Sequence, residues 1–176
     1  MEPIDADVVR TFLARLGEIQ VEPVSLMLLG GSALLLLGNP RTTLDIDYVG
    51  DDLRPTDFQT IIDQVATELH LHADPVPIEH FVPLPPESES RRVFIARFGT
   101  VDAFVIDPYV IALSKLDRGF DIDIADTAFL IKRGLVNLDA LADVVATALL
   151  QAAKYDMDPA EVQKHLAVVR QRVVAP

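Results

Sequence analysis

The chain has no cysteine. Disulfides and thiolate metal sites are therefore excluded, and the absence fits a cytoplasmic protein. Nor does any apolar run reach transmembrane length. The longest candidate, Val24 to Leu37, is broken by Gly30-Gly31, so no membrane partner is expected. The first residues, Met-Glu-Pro-Ile-Asp-Ala-Asp, lack the basic start of a secretory signal. Basic side chains are scarce as well. Fifteen Lys and Arg stand against 27 Asp and Glu, for a net charge of −12. A protein that sits permanently on nucleic acid is usually more basic. Any nucleic-acid acceptor must then meet a local patch, or the acceptor is something else. Histidines are few and scattered: His70 and His72 do not share a helix face, and His80 and His165 stand apart. A histidine metal site is not expected. There is no repeat and no low-complexity tract.

What the chain does have is apolar content. Half of its 176 residues are hydrophobic, enough for a sizeable core in one domain with at most a small helical appendage. The organising stretch runs from Val24 to Gly50. Val24 to Leu29 is a strand-length apolar run that ends at Gly30-Gly31. Ser32 is placed to cap a short helix through Leu37, which Gly38-Asn39-Pro40 stops. Leu44 to Val49 then alternates, with Leu44, Ile46 and Tyr48 on one face and Asp45, Asp47 and Val49 on the other. Two carboxylates side by side on a strand are costly unless a cation or protons compensate them. A Gly-Gly-Ser turn opening a helix offers N–H groups to a phosphate. The plain alternative is a Gly-Ser turn beside two solvent-facing aspartates on an edge strand.

These residues resemble the DNA polymerase β-like nucleotidyltransferase superfamily, in which a Gly-Gly/Ser turn is followed by Asp-x-Asp on a strand. Here Gly31 precedes Asp45 by 14 positions. The form Arg41-Thr42-Thr43-Leu44-Asp45-Ile46-Asp47 is most similar to the abortive-infection (type IV toxin–antitoxin) nucleotidyltransferases and their small uncharacterised relatives. A second part of that resemblance lies downstream, where Lys115, Arg118, Asp123 and Asp126 match a Lys-Leu, Arg, Asp-x-x-Asp pattern. The two parts span Leu28 to Asp126.

Along the remaining chain, Asp7 to Leu16 reads as an amphipathic helix, and another runs from Pro55 or Thr56 to about Leu71. Pro75 to Pro86 holds five prolines, with an irregular edge strand expected over Ile78 to Leu84. Arg91–Phe98 and Val101–Ile106 read as a hairpin about Gly99-Thr100. Asp107-Pro108 opens a helix to Arg118, and Asp121–Arg133 forms the next. Asn137 caps one from Leu138 to about Lys154, and Asp158 caps a last one to about Val173.

The resemblance implies an α/β (α+β) nucleotidyltransferase fold: a small mixed sheet flanked by helices, with a helical C-terminal part. Residues 1–134 are read as the nucleotidyltransferase core and 135–176 as a helical extension packed on it. The implied activity is Mg²⁺- or Mn²⁺-dependent transfer of a nucleoside monophosphate from an NTP to an RNA end, such as tRNA, or to a protein. An antitoxin partner is implied with it. Asp45 and Asp47 are assigned to metal, with Asp102 as a third carboxylate on a following strand and Asp123 as a further ligand. Gly30, Gly31, Ser32 and Thr43 are assigned to nucleotide together with Lys115 and Arg118, and Lys115 and Asp126 complete the catalytic set. Two rivals are a catalytically inactive module of this fold that binds nucleotide or a partner protein, and a purely structural α/β domain.

Overall fold

The computed structural model describes residues 2–174; Met1, Ala175 and Pro176 lie outside the described residues. Contacts divide the chain into two compact units, one of residues 1–78 and 92–106 and the other of 79–91 and 107–176.

The first unit is an α+β layer structure. Helix α1 (Ala6–Ile19) starts where the Asp5 side chain accepts from the Asp7 and Val8 N–H groups. Its Val9, Phe12, Leu13 and Leu16 are buried, the stripe expected of an amphipathic helix. Strand β1 (Val24–Leu28) leads directly into helix α2 (Gly30–Leu36). Strand β2 (Ile46–Val49) follows, then helix α3 (Asp57–Glu68), whose N-terminus is a Thr56–Gln59 capping box. Strands β3 (Ala73–Val76), β4 (Val93–Phe98) and β5 (Val101–Val105) complete a five-stranded sheet of order β3-β2-β1-β5-β4. The sheet is mixed: β1 runs antiparallel to β2 and parallel to β5, and β2 runs parallel to β3. β4 and β5 form the expected hairpin.

Registers assign the faces. Leu28 lies opposite both Tyr48 and Val105, so these three share one face, and all are buried. Leu26, Ile46, Val101 and Ala103 alternate onto the same core face. The other face carries Asp47, Met27 and Phe104.

Four sequence expectations are corrected here. The strand expected over Ile78–Leu84 lies upstream, at Ala73–Val76, and Ile78–His80 is a single 3₁₀ turn. Pro75 is tolerated because β3 is an edge strand, where a missing N–H breaks no internal ladder. Leu44 is exposed and precedes β2 rather than joining its core face. Ser32 sits inside α2, and the residue at the cap position is Leu29, with no side chain capping the helix. The helix from Leu138 ends at Leu149, since Gln151 leaves helical φ and only a 3₁₀ turn continues over Ala152–Lys154.

The second unit is helical. It contains α4 (Pro108–Arg118), α5 (Asp121–Lys132), α6 (Leu138–Leu149) and α7 (Pro159–Val174). Asp107 accepts from Tyr109 N–H with Pro108 in the first turn, and Asn137 accepts from Asp139 and Ala140 N–H. Asp107 also receives the Arg91 guanidinium at 2.6 Å.

Candidate active site

Three carboxylates converge in the first unit. Asp47 projects from β2 and Asp74 from β3, and the parallel register sets them directly beside each other. Asp45 stands in the bend just before β2. One carboxylate oxygen from each of Asp45, Asp47 and Asp74 lies within 4.8 Å of the other two. Like charges opposite each other on neighbouring strands repel, so a cation among these oxygens would be stabilising.

Local structure fixes each member. Thr43 is clamped to Ile4 by two backbone hydrogen bonds, of 2.8 and 3.0 Å. Its hydroxyl donates to Asp45 Oδ1 at 3.1 Å and so orients the first carboxylate. Asp47 is held through its backbone, since its carbonyl accepts the Leu29 N–H at 3.1 Å. The two glycines let the start of α2 approach these groups. Gly30 has φ of +63°, and a Cβ there would run into Asp47 Oδ2. A Cβ on Gly31 would run into the Thr43 hydroxyl. The positive φ thus belongs to Gly30, while Gly31 is constrained by space. Ser32 is fully buried and its hydroxyl donates to Leu29 O at 3.0 Å. That hydroxyl is turned inward, to the carbonyl at the start of its own helix and, at 3.4 Å, to the Asp47 carbonyl of β2.

A family model described as "nucleotidyltransferase of unknown function (DUF6036)" matches residues 9–172. The chain belongs to that family. Searches of curated proteins and of solved structures give no match.

Nucleotidyltransferases commonly use a divalent metal, and the residues present fit one. Hard oxygen donors suit Mg²⁺ or Mn²⁺. Here three carboxylates, two of them half-buried and one exposed, are gathered on adjoining backbone segments.

The structure does not bring Asp102 to this group. Its carboxylate is held by Arg97 in a bidentate pair, Nε–Oδ1 2.6 Å and Nη2–Oδ2 2.8 Å. That pairing also holds its pKa below the usual carboxylate range. Along the sheet, the Asp47 level crosses β1 at Leu29 and continues to Ile106. Asp102, opposite Ser25, is four residues earlier, about 13 Å along the strand. The third carboxylate is Asp74. Two signals for it were present: an aspartate before proline is biased to extended backbone, and a proline-bearing strand belongs at an edge. Arg41, which the sequence reading does not assign, also comes near the glycine turn. One of its terminal nitrogens lies 3.5 Å from where a Gly31 Cβ would be, beside the glycine turn.

In the second unit, Lys115, Arg118, Asp123 and Asp126 form one network. Lys115 Nζ is 2.7 Å from Asp126 Oδ2 and 3.2 Å from Asp123 Oδ1, and Arg118 Nη2 is 2.7 Å from the same Asp123 oxygen. Lys115 is 3% exposed and both aspartates 1%. Lys115, which the resemblance assigns to nucleotide, is held here between two carboxylates. Asp123, assigned to metal, instead engages two cationic side chains through Oδ1. Its Oδ2 is buried without a hydrogen-bond partner.

Proposed function

We infer that the protein transfers a nucleoside monophosphate from an NTP to an acceptor hydroxyl, using the carboxylates of Asp45, Asp47 and Asp74. The observation that carries the reading is their convergence beside the Gly30-Gly31 turn, in a chain of a nucleotidyltransferase family. These three residues would hold Mg²⁺ or Mn²⁺, which when bound neutralises phosphate charge and polarises the reacting oxygens. The rest falls to the chain. Thr43 keeps Asp45 oriented, Gly30 and Gly31 let the start of α2 close on Asp47 and Thr43, and Arg41 adds a cation beside that turn. The acceptor oxygen bonds to the α-phosphorus as the bond to the bridging oxygen breaks and pyrophosphate leaves. The acceptor proton passes to a carboxylate, for which Asp74, the most exposed of the three, is the candidate. Phosphoryl chemistry of this kind relies on positioning and charge.

The toxin-type reading, with an RNA or protein acceptor and an antitoxin partner, is supported by Lys115, Arg118, Asp123 and Asp126 coming together as one network. The test is transfer of label from each NTP with Mg²⁺ to cellular RNA and protein. Asp74→Asn should lower transfer by about a hundredfold or more, the scale for losing one preorganised charged group. Asp102→Asn should leave it near wild type. Equal transfer by Asp74→Asn and wild-type protein would refute the assignment.

A further inference from the structure

The sheet face that carries Asp47 also carries a paired aromatic surface. Phe94 of β4 lies opposite Phe104 of β5, with ring centroids 5.3 Å apart and planes at 64°. The guanidinium of Arg92 lies 4.5 Å from the Phe104 ring centroid. A register shift between Phe94 and Ala96 resets the alternation of β4. Phe94 and Arg97, three residues apart, therefore project from one face, opposite Phe104 and Asp102 respectively. Registers through β1 put this face on the same side of the sheet as Asp47.

Phe94 is 55% exposed although it stands on a strand of a sheet with a well-filled core. Two rings do not make the broad apolar patch that marks a protein-docking surface. They come with two arginines of the same segment: Arg92, whose guanidinium lies over Phe104, and Arg97, which is paired with Asp102. Aromatic rings interleaved with guanidinium groups are what unpaired nucleobases stack on, and arginine adds its own planar stacking surface. Position selects the source of the base. Phe104 is two residues short of the Asp47 level and two strands across, roughly 12 Å away along the sheet, and Phe94 is one strand farther. A row leading away from the carboxylates suits successive bases of a strand better than the base of the nucleotide whose phosphates lie at them.

We propose that Arg92, Phe94 and Phe104 form a stacking platform for the unpaired end of a single-stranded RNA acceptor, feeding its terminal hydroxyl toward Asp45, Asp47 and Asp74. This rests on the nucleotidyltransferase reading above and names its acceptor.

The test measures binding of a fluorescent single-stranded RNA 12-mer and of the same strand in a blunt duplex. It uses wild type, Phe94→Ala and Arg92→Ala, with thermal stabilisation by Mg²⁺–NTP measured in parallel. Wild type should prefer the single strand. Phe94→Ala should weaken it at least about fivefold, the lower end for one base–aromatic stack. Arg92→Ala should weaken it and reduce its salt dependence. Mg²⁺–NTP stabilisation should be unchanged in both variants. Single-strand affinity within about twofold of wild type in Phe94→Ala overturns the platform. So does a wild type that binds duplex equally well, or that labels protein and binds no strand. Absence of Mg²⁺–NTP stabilisation in wild type would instead overturn the nucleotidyltransferase reading, so the two failures are distinct.

Discussion

Replacing Gly30 by alanine separates the cost of a backbone conformation from the cost of disturbing the carboxylates. Gly30 has φ of +63°, and a Cβ there meets the Asp47 carboxylate. Left-handed backbone costs an alanine about 1–2 kcal/mol. For a chain of this size 1 kcal/mol corresponds to a Tm change of about 2–4 °C. The apo variant should therefore melt about 2–8 °C below wild type. The steric term falls on a side chain, so rotation of Asp47 relieves it without moving the sheet. That rotation opens the three-carboxylate group. Gly134 supplies the control, because its φ is +72° and nothing lies within 4 Å of a Cβ built there. Gly134→Ala should lose similar apo stability and nothing else. With Mg²⁺–NTP at a hundred times its Kd, mass action stabilises the native state by about 2.7 kcal/mol. Differential scanning fluorimetry with and without Mg²⁺–NTP should show that stabilisation in wild type and Gly134→Ala, and little of it in Gly30→Ala. Equal ligand-induced shifts in the two alanine variants would refute the argument that Gly30 exists to accommodate Asp47.

Two further outcomes are expected from buried polar groups. Lys115→Met keeps the length of the side chain but leaves Asp126 and Asp123 without the buried ammonium they share, so urea unfolding should show a loss of about 3–5 kcal/mol; a loss below about 1 kcal/mol would mean that the network adds little to the fold. Tyr48 is buried with its hydroxyl lacking a well-formed hydrogen bond, and burial pushes its pKa from 10.0 up to about 12, against a smaller opposing effect from Gln59. The folded state then holds this proton more tightly than the unfolded chain, so its contribution is complete below about pH 10 and is lost as pH rises to about 12. Tyr48→Phe should be neutral or stabilising at pH 7 and should flatten the alkaline fall in stability measured by urea titration; an unchanged alkaline slope would contradict this.

Much of the fold was legible because local chemistry and tertiary packing agree. The capping residues Thr56, Asp107, Asn137 and Asp158 all accept at helix starts as their types suggest. The alternation of Ile46 and Tyr48 against Asp47 survives as burial alternation in β2. In the carboxylate group, Asp45 and Asp47 were legible because one short segment carries both. Asp74 was not, since its proximity comes from the pairing of β2 with β3 across the whole of α3, a contact that no local pattern encodes. Asp102 failed for a related reason. Being an aspartate on a strand sets its face but not its level along the sheet, and the parallel register with β1 puts it at Ser25. Ser32 misled because serine before an apolar run is a common cap, whereas here the hydroxyl is drawn inward to the Leu29 carbonyl.

The features that concealed Asp74 also explain how it can serve. A strand of four residues at the sheet edge, bearing a proline, is poor material for a core and offers little to a neighbouring chain seeking an edge to pair with. Pro75 holds φ near its fixed value and restrains Asp74 to extended backbone. The carboxylate is thus aimed by the chain on both sides: by the ladder to Asp47 across the strand pair, and by the ring that follows it. Asp102 shows the contrasting solution on the same sheet. There the repulsive tendency of a strand carboxylate is answered within the protein by Arg97. Asp45, Asp47 and Asp74 are instead drawn together with oxygens within 4.8 Å. One sheet thus carries an aspartate matched by an arginine and a group of three gathered where a divalent cation would fit.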